Sequence, residues 1–198
     1  MNLFPIRDCL RRVGEKKIVL IIYGAVFLCF AILGVCFIKT PAIYGYHYNL
    51  CDKFVDRVCY SERSVVVIFF ERSAGHLFLL ALSLLAGLHI VAVSVPTVIF
   101  VYRAYTFGGS LYIFFSVYRL SGALIVGVLY LPVHLLIDAV LLCAIIFSIN
   151  RAPRFTFCRH DFMEIFRDFI VLGILILLIC LLEAVLLLAL FHPLGVII

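Results

Sequence analysis

The feature that most constrains this chain is its succession of long apolar runs, of which Ile18–Ile38, Ala123–Ile149 and Phe169–Phe191 are the clearest. Each matches or exceeds the roughly 20 residues that a helix needs to cross a bilayer. Strands of a membrane barrel alternate in polarity and these runs do not, so the spans are read as helices. Composition agrees: 66% of the residues are hydrophobic and 14% charged, which excludes an ordinary soluble globule. It equally excludes a disordered tail and a disulfide-knotted miniprotein. The expected fold class is all-α, a polytopic integral membrane helical bundle. A chain of 198 residues has room for about five spans in a single transmembrane domain, and no soluble catalytic domain fits beside them.

The spans are placed near 18–38, 76–101, 107–131, 132–149 and 169–191, with an external loop at 39–74 and a cytoplasmic loop at 150–168. The first follows Arg7, Arg11, Arg12, Lys16 and Lys17, and Leu3, Ile6, Leu10 and Val13 recur there at helical spacing. That stretch reads as a short basic amphipathic helix suited to an anionic membrane surface. A signal peptide would need a shorter apolar core and a small-residue cleavage site, so the run is read as a retained span. Pro96, Gly108, Gly109, Gly122 and Pro132 give the central helices a kinked character. The segment 96–131 can thread as one kinked span, two short helices or a re-entrant hairpin, with irregular backbone covered by neighbouring helices. In 155–169, Cys158, Phe162, Ile165, Phe166 and Phe169 lie on one helical face, as in an interfacial helix leading into the last span.

Orientation follows from the basic residues. With a cytoplasmic N-terminus, ten of the 16 Lys and Arg residues fall inside, and five of the remaining six lie in a loop that also holds four acids. The positive-inside rule therefore favours that arrangement, with the C-terminus outside after five crossings.

The residues that could carry chemistry are few. Cys51 and Cys59 stand alone on the external side, as a disulfide or as two free thiols. Asp138 and Glu183 fall within predicted spans, where a carboxylate costs roughly 2.5–3.5 kcal/mol and needs a partner or an interior position. They can serve a proton or ion relay. The structural alternative, pairing with Arg103 or Arg119, is favoured. His89 and His134 lack a second ligand at helical spacing, so interior histidines are expected rather than metal ligands. Ser83-x-x-x-Gly87 and Ala123-x-x-x-Gly127 permit close helix contacts, within one chain or in a homo-oligomer. Tyr44, Tyr46, Tyr48 and Phe54 are candidate partner-contact residues, although tyrosines also form interfacial belts.

No His-Glu-x-x-His, Gly-x-Ser-x-Gly or phosphate-binding loop is present in the sequence, so no catalytic residue, metal or cofactor is expected. The net charge of +5 is accounted for by the cytoplasmic flanks, and the expected partner is membrane lipid rather than nucleic acid.

The order of features resembles the stage II sporulation protein M family of small polytopic membrane proteins. The resemblance runs through Ala31-Ile-Leu-Gly-Val-Cys-Phe37, Gly87, Pro96, Gly108-Gly109 and Leu120-Ser-Gly122 to Leu131-Pro-Val-His-Leu-Leu-Ile137. It closes on Leu181-Leu-Glu183-Ala and Pro193. His134 is displaced by one residue from the family pattern, and Asp138 occupies a shifted place where the family carries Glu. The resemblance implies a non-catalytic membrane anchor or scaffold for peptidoglycan remodelling during engulfment in endospore formation. It further implies stage II sporulation proteins D and P as partners, and a place in the septal and engulfing membrane. The competing expectation is a transporter or permease subunit with a substrate path along the kinked 96–149 region.

Overall fold

A computed structural model describes residues 17–59, 65–89, 91–155 and 159–186, and among these all regular structure is helical. The helices are α1 (Lys17–Phe37), α2 (Pro41–Cys59), α3 (Val65–Leu85), α4 (Ser94–Val117), the short α5 (Arg119–Ile125), α6 (Leu131–Arg151) and α7 (Arg159–Leu186). Five stretches are long and apolar enough to cross a membrane: Lys17–Phe37, Val66–Leu88, Val91–Val117, Val126–Arg151 and Arg159–Leu186. The protein is a multi-pass helical membrane bundle. Inside a bilayer only a helix satisfies every backbone N–H and C=O within its own segment, so runs rich in Ile, Val and Phe become helices despite their modest helix propensity.

Contacts give the order of the bundle. Tyr23 bonds Thr97 and Gly34 meets Tyr105 and Gly109, so α1 and α4 run parallel. Arg72 pairs with Glu183 while Gly173 meets Leu77 and Leu80, which makes α3 and α7 antiparallel. Arg103 with Asp138 and Phe114 with Tyr130 set α4 antiparallel to α6. The α1, α3, α4, α6 and α7 axes thus alternate in direction. One end of the bundle carries Lys17 and the connector pieces 86–89, 91–93 and 152–154; the other carries α2 and the 118–125 turn. The hydrophobic core runs through both, from Ile165 and Leu172 to Phe54 and Phe114.

Several predicted boundaries move. The expected external loop 39–74 is mostly helix: Pro41 starts α2, a position where its missing N–H loses no bond. His47, Cys51, Phe54 and Val55, at helical spacing, turn inward and are buried. The second span begins about ten residues before the expected 76, because Val65–Phe70 continues as one helix through Glu71 and Arg72. Pro96 falls in the first turn of α4 and so starts the third span instead of kinking the second. Gly108 and Gly109 lie inside a continuous α4, and the segment 96–131 is neither a re-entrant hairpin nor one span. The chain breaks at Arg119, whose φ of +50° is the only positive value among the described non-glycine residues. A β-carbon on Gly122 would overlap the Phe114 carbonyl, so the turn closes there. The expected irregularity does occur before Pro132: Val126–Tyr130 forms a π-helical turn, which absorbs the bond that proline removes. The expected interfacial helix at 155–169 is the first part of the continuous α7, with Asp168 buried rather than solvated; Cys158 lies outside the described residues.

The proposed disulfide is also corrected. Cys51 is a free, buried thiol whose Sγ donates to the Ser110 carbonyl at 3.7 Å. Cys51 and Cys59 share α2, and a separation of eight residues on a helix spans about 12 Å, beyond the reach of a disulfide. Burial pushes the Cys51 thiol up to about 12, which suppresses the reactive thiolate. Reductant should therefore leave the thermal midpoint of the purified protein unchanged, whereas a bridged loop would lose about 2 kcal/mol or more.

Candidate functional site: a polar cleft at the α2 end of the bundle

Among the described residues, three ion pairs join helices across the interior. Arg103 Nε donates to Asp138 Oδ1 at 2.6 Å, with side-chain exposures of 14% and 6%. Arg72 meets Glu183 at 3.1 Å, linking α3 to α7. Arg151 Nη2 donates to Asp168 Oδ2 at 2.5 Å, closing α6 on α7 at the opposite end. Each neutralises a charge that would be costly alone in hydrocarbon. Asp138 thus pairs with Arg103, one of the two arginines expected for it. Glu183 takes Arg72, which the loop reading had placed outside the membrane. Arg119 is exposed at the α4–α5 break and is not an intramembrane partner.

His134 comes into the polar region. Its ring lies 4.2 Å from that of Tyr130 and 6.2 Å from that of Phe107. The positive field of Arg72 and Arg103 falls on His134 and on the buried His76. These groups back a cleft of about 220 Å³ whose polar lining is Lys53, Thr106, Ser110, Tyr130, His134 and Arg72, with Phe54 and Phe114 among its apolar walls. The Arg72 guanidinium sits 5.5 Å from the centre of the Phe54 ring, a cation–π distance that fixes the side chain over the cleft. His89, expected in the interior, is exposed in the connector, where its Nδ1 accepts from the Val91 N–H.

The candidate partner-contact residues divide. Tyr44 and Tyr46 are exposed, and the Tyr46 hydroxyl bonds that of Tyr102 at 2.7 Å. Tyr48 is half-buried and stacks on Tyr44. Phe54 is buried edge-on against Phe114 and Tyr130, so it belongs to the core and not to an outer surface. Ser83 and Gly87 make the close contact read from the sequence: Ser148 Oγ donates to the Ser83 carbonyl at 2.5 Å, and a β-carbon on Gly87 would sit 3.1 Å from Ser148 Cα. Gly127 has open space instead.

His47 lies on α2, outside the spans and outside the cleft lining. It is fully buried against Gly109, where an added β-carbon would lie 2.5 Å from its ring, and neither ring nitrogen has a hydrogen-bond partner. Burial lowers its pKa from 6.5. The unfolded form then binds the extra proton first, so stability contributed by neutral His47 is present above about pH 6.5 and is lost as pH falls below it. Thermal unfolding at stepped pH between about 7.5 and 5 should show a slope that His47→Phe reduces.

Among the described residues no cluster of His, Cys, Asp and Glu could hold a metal ion. Sequence reasoning missed Arg72, His76, Arg151 and Asp168. The available signal was spacing, since Arg72, His76, Leu80 and Ser83 form one helical face once the helix is allowed to begin at Val65. The chain matches no family model, no curated protein and no solved structure.

Proposed function

We propose that this protein is a non-catalytic membrane scaffold. Its partners on this reading are the peptidoglycan-degrading stage II sporulation proteins D and P, and its setting is engulfment in an endospore former. Two things support the reading: the resemblance in the order of sequence features, and the closed use of charge inside the bundle. Asp138 is matched to an arginine at contact distance, as are Glu183 and Asp168. The charges thereby act as fasteners between helices, which a scaffold needs in order to hold one shape. The exposed Tyr44 and Tyr46 on α2 supply amphipathic rings of the kind enriched at contact surfaces. A tethered scaffold raises the effective concentration of enzymes that act on the same wall.

Deletion of the gene in its own host, followed by membrane-dye microscopy through starvation, tests this. Cells that complete the polar septum but fail to migrate the membrane around the forespore support the scaffold. Normal engulfment, or a host that never sporulates, removes the role.

One observation favours the second reading, a transporter or permease subunit: the polar cleft abuts the π-helical turn at Val126–Tyr130, and irregular helices commonly line substrate paths. On that reading Asp138 or Glu183 is indispensable to a flux that depends on pH or an ion gradient.

A further inference from the structure

We infer that the cleft between α2, α3, α4 and α6 is a binding site for an anionic group of the phosphate class. This goes beyond the scaffold reading and stands without it.

The chemistry of the wall carries the inference. Arg72 and Lys53 contribute two cations, while Thr106, Ser110 and Tyr130 contribute hydroxyls and His134 an imidazole. Every one of these side chains can donate a hydrogen bond. No carboxylate is among the described residues that line the cleft. The acids lie elsewhere: Glu183 on Arg72, Asp138 on Arg103, and Asp52, next to Lys53 in the chain, accepting from the Tyr118 hydroxyl at 3.3 Å. Arg72 is the arginine of the lining, and it meets Glu183 of α7 while it borders the cleft. The Arg72 side chain is 21% exposed, enough to reach a ligand while Phe54 and Glu183 hold it in place. An arginine fixed in this way loses little freedom when its fork binds a tetrahedral oxyanion.

Size and position agree with the chemistry. A volume of about 220 Å³ far exceeds the ~10–15 Å³ that one water requires and falls short of the ~300–1,000 Å³ typical of larger organic ligands. Lys53 is exposed on α2 at the rim, whereas Tyr130 is buried below it. Basic residues near a membrane surface attract anionic headgroups. The anion can arrive as a lipid headgroup or as free phosphate, and the two sources share this chemistry.

The test uses the full chain purified in a neutral detergent. Its thermal midpoint is read with short-chain phosphatidylglycerol against phosphatidylcholine, and with inorganic phosphate against chloride at equal ionic strength. Binding to the folded form is expected to raise the midpoint by about 2–4 °C. A rise with phosphatidylglycerol alone identifies a lipid headgroup, and a rise with phosphate as well identifies a general phosphate site; both support the inference. Lys53→Gln, at an exposed position, should weaken the response about tenfold in ligand concentration. Arg72→Gln combined with Glu183→Gln, which removes both partners of that ion pair, should abolish it. Lys39→Gln, an exposed lysine outside the cleft lining, is the control for general surface charge. No rise with either anion, or an equal loss in Lys39→Gln and Lys53→Gln, overturns the inference.

Discussion

Arg103→Gln is expected to destabilise the protein on the order of 3–5 kcal/mol, because it strands the Asp138 carboxylate in the bundle interior. Asp138 is 4% exposed and Arg103 Nε sits 2.6 Å from its Oδ1. Asp138→Asn should cost a similar amount by stranding the guanidinium, which already has one buried nitrogen without a hydrogen-bond partner, Nη2. The double variant Arg103→Gln with Asp138→Asn replaces an ion pair by a neutral, slightly smaller amide pair. It should recover most of the loss, because a buried pair gives little net stability over a neutral substitute. A double-mutant cycle on thermal or denaturant unfolding in detergent measures the coupling. Additive losses would mean that the two side chains do not interact.

The second large effect lies at the α1–α4 contact. Gly34 is the one buried residue of α1, so the first span docks through a narrow strip of backbone. A β-carbon on Gly108 would overlap the Ala31 carbonyl, and one on Gly34 would overlap the Tyr105 carbonyl. Without a hydrophobic driving force between helices in lipid, such close approach of small residues supplies much of the association. Gly108→Leu is expected to push α1 off α4 and to break the 2.9 Å Tyr23–Thr97 hydrogen bond. Cysteines placed at positions 23 and 97 should be joined readily in the parent background by a bifunctional thiol reagent that spans the length of the tyrosine side chain they replace, which is too long for a direct disulfide. In Gly108→Leu that cross-linking should fall about tenfold, corresponding to a loss on the order of 1–3 kcal/mol. Retained cross-linking would show that α1 is held by its apolar contacts instead.

The spans were legible in the sequence because hydrocarbon imposes a single rule, about 20 apolar residues per crossing, and the first and last runs obey it. The ion pair at Asp138 was legible for a related reason, since a carboxylate in a span needs a partner and Arg103 interrupts a neighbouring run. Arg72 and α2 were not. A polarity average over 39–74 hides α2, whose inward face of His47, Cys51, Phe54 and Val55 is diluted by exposed Lys53 and Asp56 and by Asp52. The expected loop was polar on average and helical in fact; periodicity, not composition, carried that information. Pro96 was misplaced because proline marks both kinks and helix starts, and tertiary position decides between them. The burial of Asp168 was not legible because its partner, Arg151, lies seventeen residues away across a helix connection.

On the proposed scaffold reading, the intramembrane charges fasten helices and perform no transfer of their own. The most direct test is complementation of the deletion strain with Arg103→Gln/Asp138→Asn, scored by membrane-dye microscopy during engulfment at matched protein level. Restored engulfment is expected, since the neutral pair keeps the helices joined. Failure to restore it by a double variant that accumulates and folds like the parent would contradict the claim and give those charges an active role.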